Sequence, residues 1–127
     1  MRILLDTHVL LWAMDADPRL KPAMQTVIAE AETVFVSAVS IWEIAIKAAL
    51  GKLVVKGDVE TFALQAGCQP LPVSWAHGRD VGRLPLHHHD PFDRLLIAQA
   101  RCEGLILVTD DRLMKRYDVS LLPGSGA

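Results

Sequence analysis

Short apolar runs recur along this chain between longer stretches of mixed polarity, a pattern that predicts strands alternating with helices. Ile3-Leu4-Leu5 is an apolar run that stops at Asp6, as a buried strand would. Val9–Met14 follows as a short helix and Asp15–Pro18 as a turn, and residues 20–31 have helical composition. Val34-Phe35-Val36 is a second strand, followed by a helix from about Ser40 to Leu50 that Gly51 stops. A further helix is expected from Asp58 to Ala66, and Pro70 and Pro72 bracket a short extended piece. Residues 74–85 then read as helix and loop. Asp90-Pro91 opens a helix over Phe92–Cys102 that Gly104 closes. Leu105–Val108 is the clearest strand, with a turn at Thr109–Asp111, a short helix, and a last strand at Val119–Leu121.

Strands in alternation with helices imply a parallel sheet covered on both faces, in an α/β fold. Such sheets bind ligands beyond the carboxyl ends of their strands. Asp6 stands at one strand end, Asp110 and Asp111 at another, and Glu43 and Asp93 in the first turns of two helices. Each has an ordinary structural reading too. Asp6 and Asp90 are favoured N-cap residues. Ser40 and Glu43 fit a capping box, and Glu43 is four residues before Lys47, the spacing of an exposed ion pair. Asp93 suits a helix dipole, and Asp110 and Asp111 both suit a turn. What these readings leave unexplained is the gathering of acids at one edge. Two ionised carboxylates about 5 Å apart repel by about 3 kcal/mol at an effective dielectric of 20. A cluster therefore calls for protons, a cationic partner or a divalent metal, and oxygen ligands favour Mg²⁺ or Mn²⁺ over zinc.

Composition adds bounds. The 127 residues are 51% hydrophobic and 22% charged, the size and make-up of a single domain spanning 1–127 with a real core. The net charge of −2 is unusual for a nucleic-acid binder, but an acidic site whose charge a metal cancels makes it a weak discriminator. No apolar stretch approaches the roughly 18–20 residues of a membrane span. Asp6 and His8 interrupt the apolar start before a signal-peptide core forms. Cys68 and Cys102 lack any metal-ligand spacing and read as reduced thiols of a cytoplasmic protein. His87-His88-His89 reads as a solvated turn ahead of the Asp90 cap, because consecutive side chains in a loop rarely converge on one ion.

Four blocks in order carry a family resemblance: Met1–His8, Ser37–Ile44, His89–Ala100 and Leu107–Asp111. Together they resemble a PIN-domain protein of the VapC toxin type, from Met1 to about Leu121. The resemblance implies a three-layer α/β/α sandwich and an endoribonuclease dependent on Mg²⁺ or Mn²⁺. It implies that Asp6, Glu43, Asp93 and Asp111 form the metal and catalytic set, with Asp110 as the alternative to Asp111. Thr7 and Thr109 match hydroxyl positions near the metal, and Asp90 stands beside them. His8 replaces an Asn that many relatives carry. The resemblance further implies a homodimer and a VapB-type antitoxin whose C-terminal segment occupies the site groove. Trp12, Trp42 and other apolar residues are candidates to line that groove, with core packing the preferred reading for Trp42.

The acidic set implies in-line hydrolysis of an RNA phosphodiester, leaving a 5′-phosphate and a 3′-hydroxyl. Arg94, Arg112, Lys115 and Arg116 are candidates for holding RNA phosphates, their alternative being a solvated surface. Two rival functions stand beside this one. A metal-dependent phosphatase would want a DxD motif after the first strand, whereas Asp6 is followed by Thr7-His8. A non-catalytic binding module would be marked by loss of an acidic residue, and none is lost.

Overall fold

A computed structural model describes residues 1–88, 90–117 and 119–122. Five strands form one sheet: β1 (Arg2–Leu5), β2 (Thr33–Ser37), β3 (Gln69–Leu71), β4 (Ile106–Val108) and β5 (Leu121–Leu122). All pairings are parallel, in the spatial order β3-β2-β1-β4-β5. The helices among the described residues are α1 (Thr7–Met14), α2 (Pro22–Glu30), α3 (Ala38–Ala49), α4 (Val59–Gln65), α5 (Trp75–Val81) and α6 (Pro91–Glu103), with a 3₁₀ turn at Arg112–Arg116.

Strand β1 is central, and its alternating side chains divide the core. Ile3 and Leu5 point into one apolar cluster with Val9, Leu10, Met24 and Val36, while Leu4 points into the other with Leu96, Ile97 and Leu107. That two-residue alternation, with both faces dry, makes β1 apolar at three successive positions. Burying one such side chain contributes about 1.5–3 kcal/mol. Helices cover both faces, so the architecture is the expected α/β sandwich with a parallel sheet.

The element boundaries have local causes. Asp58 caps α4 by accepting from the Thr61 amide, and Pro22 opens α2 at its first helical position. Gly104 ends α6 at φ 66°, a left-handed conformation open to glycine without a Cβ penalty. Helix α3 differs from expectation. It begins at Ala38 with Ser37 as cap, not at Ser40, because the chain turns from β2 into the helix without a connecting loop. The reciprocal capping box found here belongs to α5, where Ser74 and His77 exchange bonds with each other's amides.

From β1 the chain builds outward to β2 and β3, then returns to place β4 on the other side of β1. The connections therefore diverge between β1 and β4. In sheets of this kind a ligand crevice lies at the carboxyl ends of the strands that flank such a switch point.

Candidate active site

Asp6 leaves β1 at this crevice. It is 3% exposed and does two things at once. Its Oδ1 caps α1 by accepting from the Val9 amide at 2.8 Å, and its Oδ2 accepts a short hydrogen bond from Thr109 Oγ1. Thr109 directly follows β4, so this bond spans the switch point. The same Thr109 oxygen accepts from the Asp111 amide at 3.1 Å and sets the turn that aims Asp111 inward. Asp111 caps the 3₁₀ turn through Oδ1, leaving Oδ2 for the crevice. Asp110 is exposed.

Glu43 approaches from α3 and is 2% exposed. Thr7 Oγ1 donates to its Oε1 at 2.6 Å, and Lys47 Nζ donates to its Oε2 at 2.5 Å. Ser40 Oγ lies 3.0 Å from the Thr7 hydroxyl. The Glu43–Lys47 spacing thus produces an ion pair, but a mostly buried one. Ser40, one turn before Glu43, serves the crevice and not the helix start.

Asp93 comes from the first turn of α6. Asp90 caps that helix, its Oδ1 accepting from the Phe92 amide at 2.9 Å and the Asp93 amide at 3.3 Å. Asp93 Oδ2 lies 3.0 Å from His88 Nε2, and Asp111 Oδ2 lies 2.9 Å from the same nitrogen. Ligand atoms of His88, Asp93 and Asp111 all fall within 4.8 Å of one another.

The electrostatics register this crowding. Desolvation, with Asp90, Glu43 and Asp6 nearby, pushes the Asp93 carboxyl up to about 7, with the His88 ring opposing. Burial also raises Asp6, against the hydrogen bonds from Thr109 and Val9. Lys47 is raised by its bond to Glu43. Burial favours the uncharged forms of these carboxyl groups, an effect that a bound cation would offset. Oxygen donors of this kind suit a hard divalent cation; the ligand atoms gathered within 4.8 Å are those of His88, Asp93 and Asp111, with Asp6 and Glu43 near enough to act on Asp93.

Three expectations change. Arg94 turns away from the crevice: its guanidinium donates to the carbonyls of Pro85 and Val81 and to the Tyr117 hydroxyl, bracing the loop before α6. Arg112, Lys115 and Arg116 remain exposed on the 3₁₀ turn. Trp42 is 53% exposed and meets the Phe92 ring edge-on at 4.8 Å, outside the core. It lines an apolar surface groove with Ile41, Leu64 and Leu71, while Trp12 lines another beside α2. The histidine run is not simply solvated: His87 is exposed, His88 is half-buried against two carboxylates, and His89 lies outside the described residues. A histidine two residues before a capping aspartate was the available signal for His88.

The fold and the acidic crevice define a class. The family model of the PIN domain matches residues 3–120, and the chain belongs to that family, whose members are generally nucleases. Solved structures share the fold at low identity. VapBC2 from Rickettsia felis bound to a promoter DNA fragment has a TM-score of 0.74 at 18% identity, covering 97% of this chain and 98% of that one. FitAcB from Neisseria gonorrhoeae has 0.67 at 20%, covering 98% of each. DNA-bound VapBC from Salmonella typhimurium has 0.65 at 14%, covering 98% of each. A comparison with curated protein sequences gives no match.

Proposed function

We propose that this protein is a metal-dependent endoribonuclease acting as the toxin of a toxin–antitoxin pair in the cytoplasm. The observation that supports it most is the convergence at the β1–β4 switch point, where Asp93 is held at about 7 among Asp90, Glu43 and Asp6. Asp6, Glu43, Asp93 and Asp111 would hold Mg²⁺ or Mn²⁺. A bound divalent ion supplies Lewis acidity toward the phosphate and lowers the pKa of water.

The chain's own residues do the rest. Thr109 and the Val9 amide orient Asp6, and Thr7 and Lys47 orient Glu43. Asp90 builds the helix turn that presents Asp93. Arg112, Lys115 and Arg116 offer positive charge beside Asp111 for RNA phosphates. The solved relatives include complexes described as VapBC, FitAB and toxin–antitoxin, which supports a VapB-type antitoxin and a homodimer for this chain.

The test is cleavage of total RNA by purified wild type, Asp6→Asn and Asp93→Asn, each with Mg²⁺, Mn²⁺ or EDTA. Discrete fragments that require metal and disappear in both variants are expected. Inactivity of folded wild type on varied RNAs would point to a binding module instead. Cutting that persists in EDTA would refute the metal dependence.

A further inference from the structure

We propose that His88 is a positioning residue of this site, its ring Nε2–H cross-bracing Asp93 and Asp111, rather than a nitrogen ligand of the metal. The inference rests on the metal-site reading above and concerns a residue outside its acidic set.

The ring is held from its backbone outward. The amides of His88 and His87 both donate to the Tyr117 hydroxyl, at 2.8 and 3.1 Å, and Tyr117 is buried. Arg94 ties the same hydroxyl to the loop carbonyls. The backbone that carries the His88 ring is thus tied to Tyr117.

The two ring nitrogens then differ in what faces them. Nδ1 receives the Asp90 amide N–H at 3.2 Å. An amide nitrogen can only donate there, so Nδ1 presents its lone pair and the ring proton sits on Nε2. Nε2 faces Asp93 Oδ2 at 3.0 Å and Asp111 Oδ2 at 2.9 Å. An N–H on Nε2 finds an acceptor oxygen on each of the two carboxyl groups, in keeping with the tautomer set at Nδ1. Ligation through Nε2 would need the proton on Nδ1, where it would oppose the Asp90 amide. Closeness of three possible ligand atoms therefore does not make His88 a ligand.

The bracing has a purpose in the fold. Asp93 belongs to α6, and Asp111 belongs to the turn after β4. His88 is a side chain that both carboxyl groups share. One N–H shared between them holds the two carboxyl groups side by side. Groups that orient metal ligands in this way typically contribute 10–100-fold to affinity or activity.

The experiment measures Mn²⁺ binding to the whole protein by electron paramagnetic resonance, for wild type, His88→Ala and His88→Gln. Circular dichroism checks the fold of each. His88→Ala should weaken Mn²⁺ binding about 10–100-fold. His88→Gln, whose amide N–H reaches the place of Nε2–H, should restore most of the loss. Long-range ¹H–¹⁵N spectra of the metal-free protein should show the His88 proton on Nε2, and spin-echo spectra of bound Mn²⁺ should show no bonded nitrogen. A proton on Nδ1 would remove the Nε2–H brace, and a nitrogen bonded to Mn²⁺ with glutamine no better than alanine would make His88 a ligand; either result would overturn the proposal. Equal affinity in wild type and His88→Ala would overturn the role of His88 alone. A folded wild type that binds no Mn²⁺ would overturn the metal site itself, and this inference with it.

Discussion

At Asp93, burial and the negative neighbours Asp90, Glu43 and Asp6 act together against ionisation, lifting the carboxyl from an ordinary 3.8 to about 7. Between those values the native protein keeps a proton that the unfolded chain has released. Stability then falls as pH rises from about 4 to about 7, and the full penalty is present above 7. Replacing the acid by an uncharged amide removes that penalty. In EDTA, Asp93→Asn is therefore expected to be more stable than wild type at pH 8 by about 1–3 kcal/mol. The gain should vanish towards pH 4, and urea unfolding across that range measures it. A constant difference at all pH values would mean that the charge at Asp93 is not the cause. The same residue could be seen in the sequence as an acid near a helix start, but its perturbed ionisation could not. Burial and distant acids cause it, and neither is visible locally.

Helix starts show which elements local sequence decides. Asp90-Pro91 was legible as a cap followed by proline, and the structure keeps it, with the Asp90 carboxyl on the Phe92 and Asp93 amides. An amide oxygen can accept those bonds as a carboxylate does. Asp90→Asn should leave thermal stability within a few tenths of a kcal/mol, whereas Asp90→Ala should cost about 1 kcal/mol. Equal losses in the two variants, measured by thermal unfolding, would show that the charge matters more than the cap. The start of α3 was not legible in the same way. Ser37 and Ser40 both suit a cap, and the Ser40–Glu43 spacing favoured the wrong one. Tertiary contacts decide: Ser37 Oγ accepts from the Val39 amide and bonds to Gln99 of α6, while Ser40 is committed to Thr7.

Across the whole molecule, the carboxylates are assembled by topology. Asp6 and Glu43 are 37 residues apart, and Asp93 and Asp111 lie further along the chain; the fold brings Asp93 and Asp111 onto one histidine and sets Asp6 and Glu43 near Asp93. A metal bound there would stabilise the native state alone, since the unfolded chain scatters the ligands. At a hundred times its dissociation constant the ion should add about 2.7 kcal/mol. Melting curves of wild type should shift upward with Mn²⁺ or Mg²⁺, and those of Asp6→Asn and Asp93→Asn should shift far less. Equal shifts in all three proteins would place the binding elsewhere.

By itself the sequence determined the order of strands and helices, the parallel α/β arrangement and the acidic positions at strand ends and helix starts. These follow from short apolar runs, caps and turn residues, which act within a few neighbours. Only the tertiary structure decided the rest. It showed that Asp93 and Asp111 share His88, that Arg94 braces a loop, and that Trp42 lies on the surface. Each of those outcomes depends on which distant segment packs alongside. Side-chain direction, burial and charge are set by that packing, and residue spacing along the chain carries no record of it.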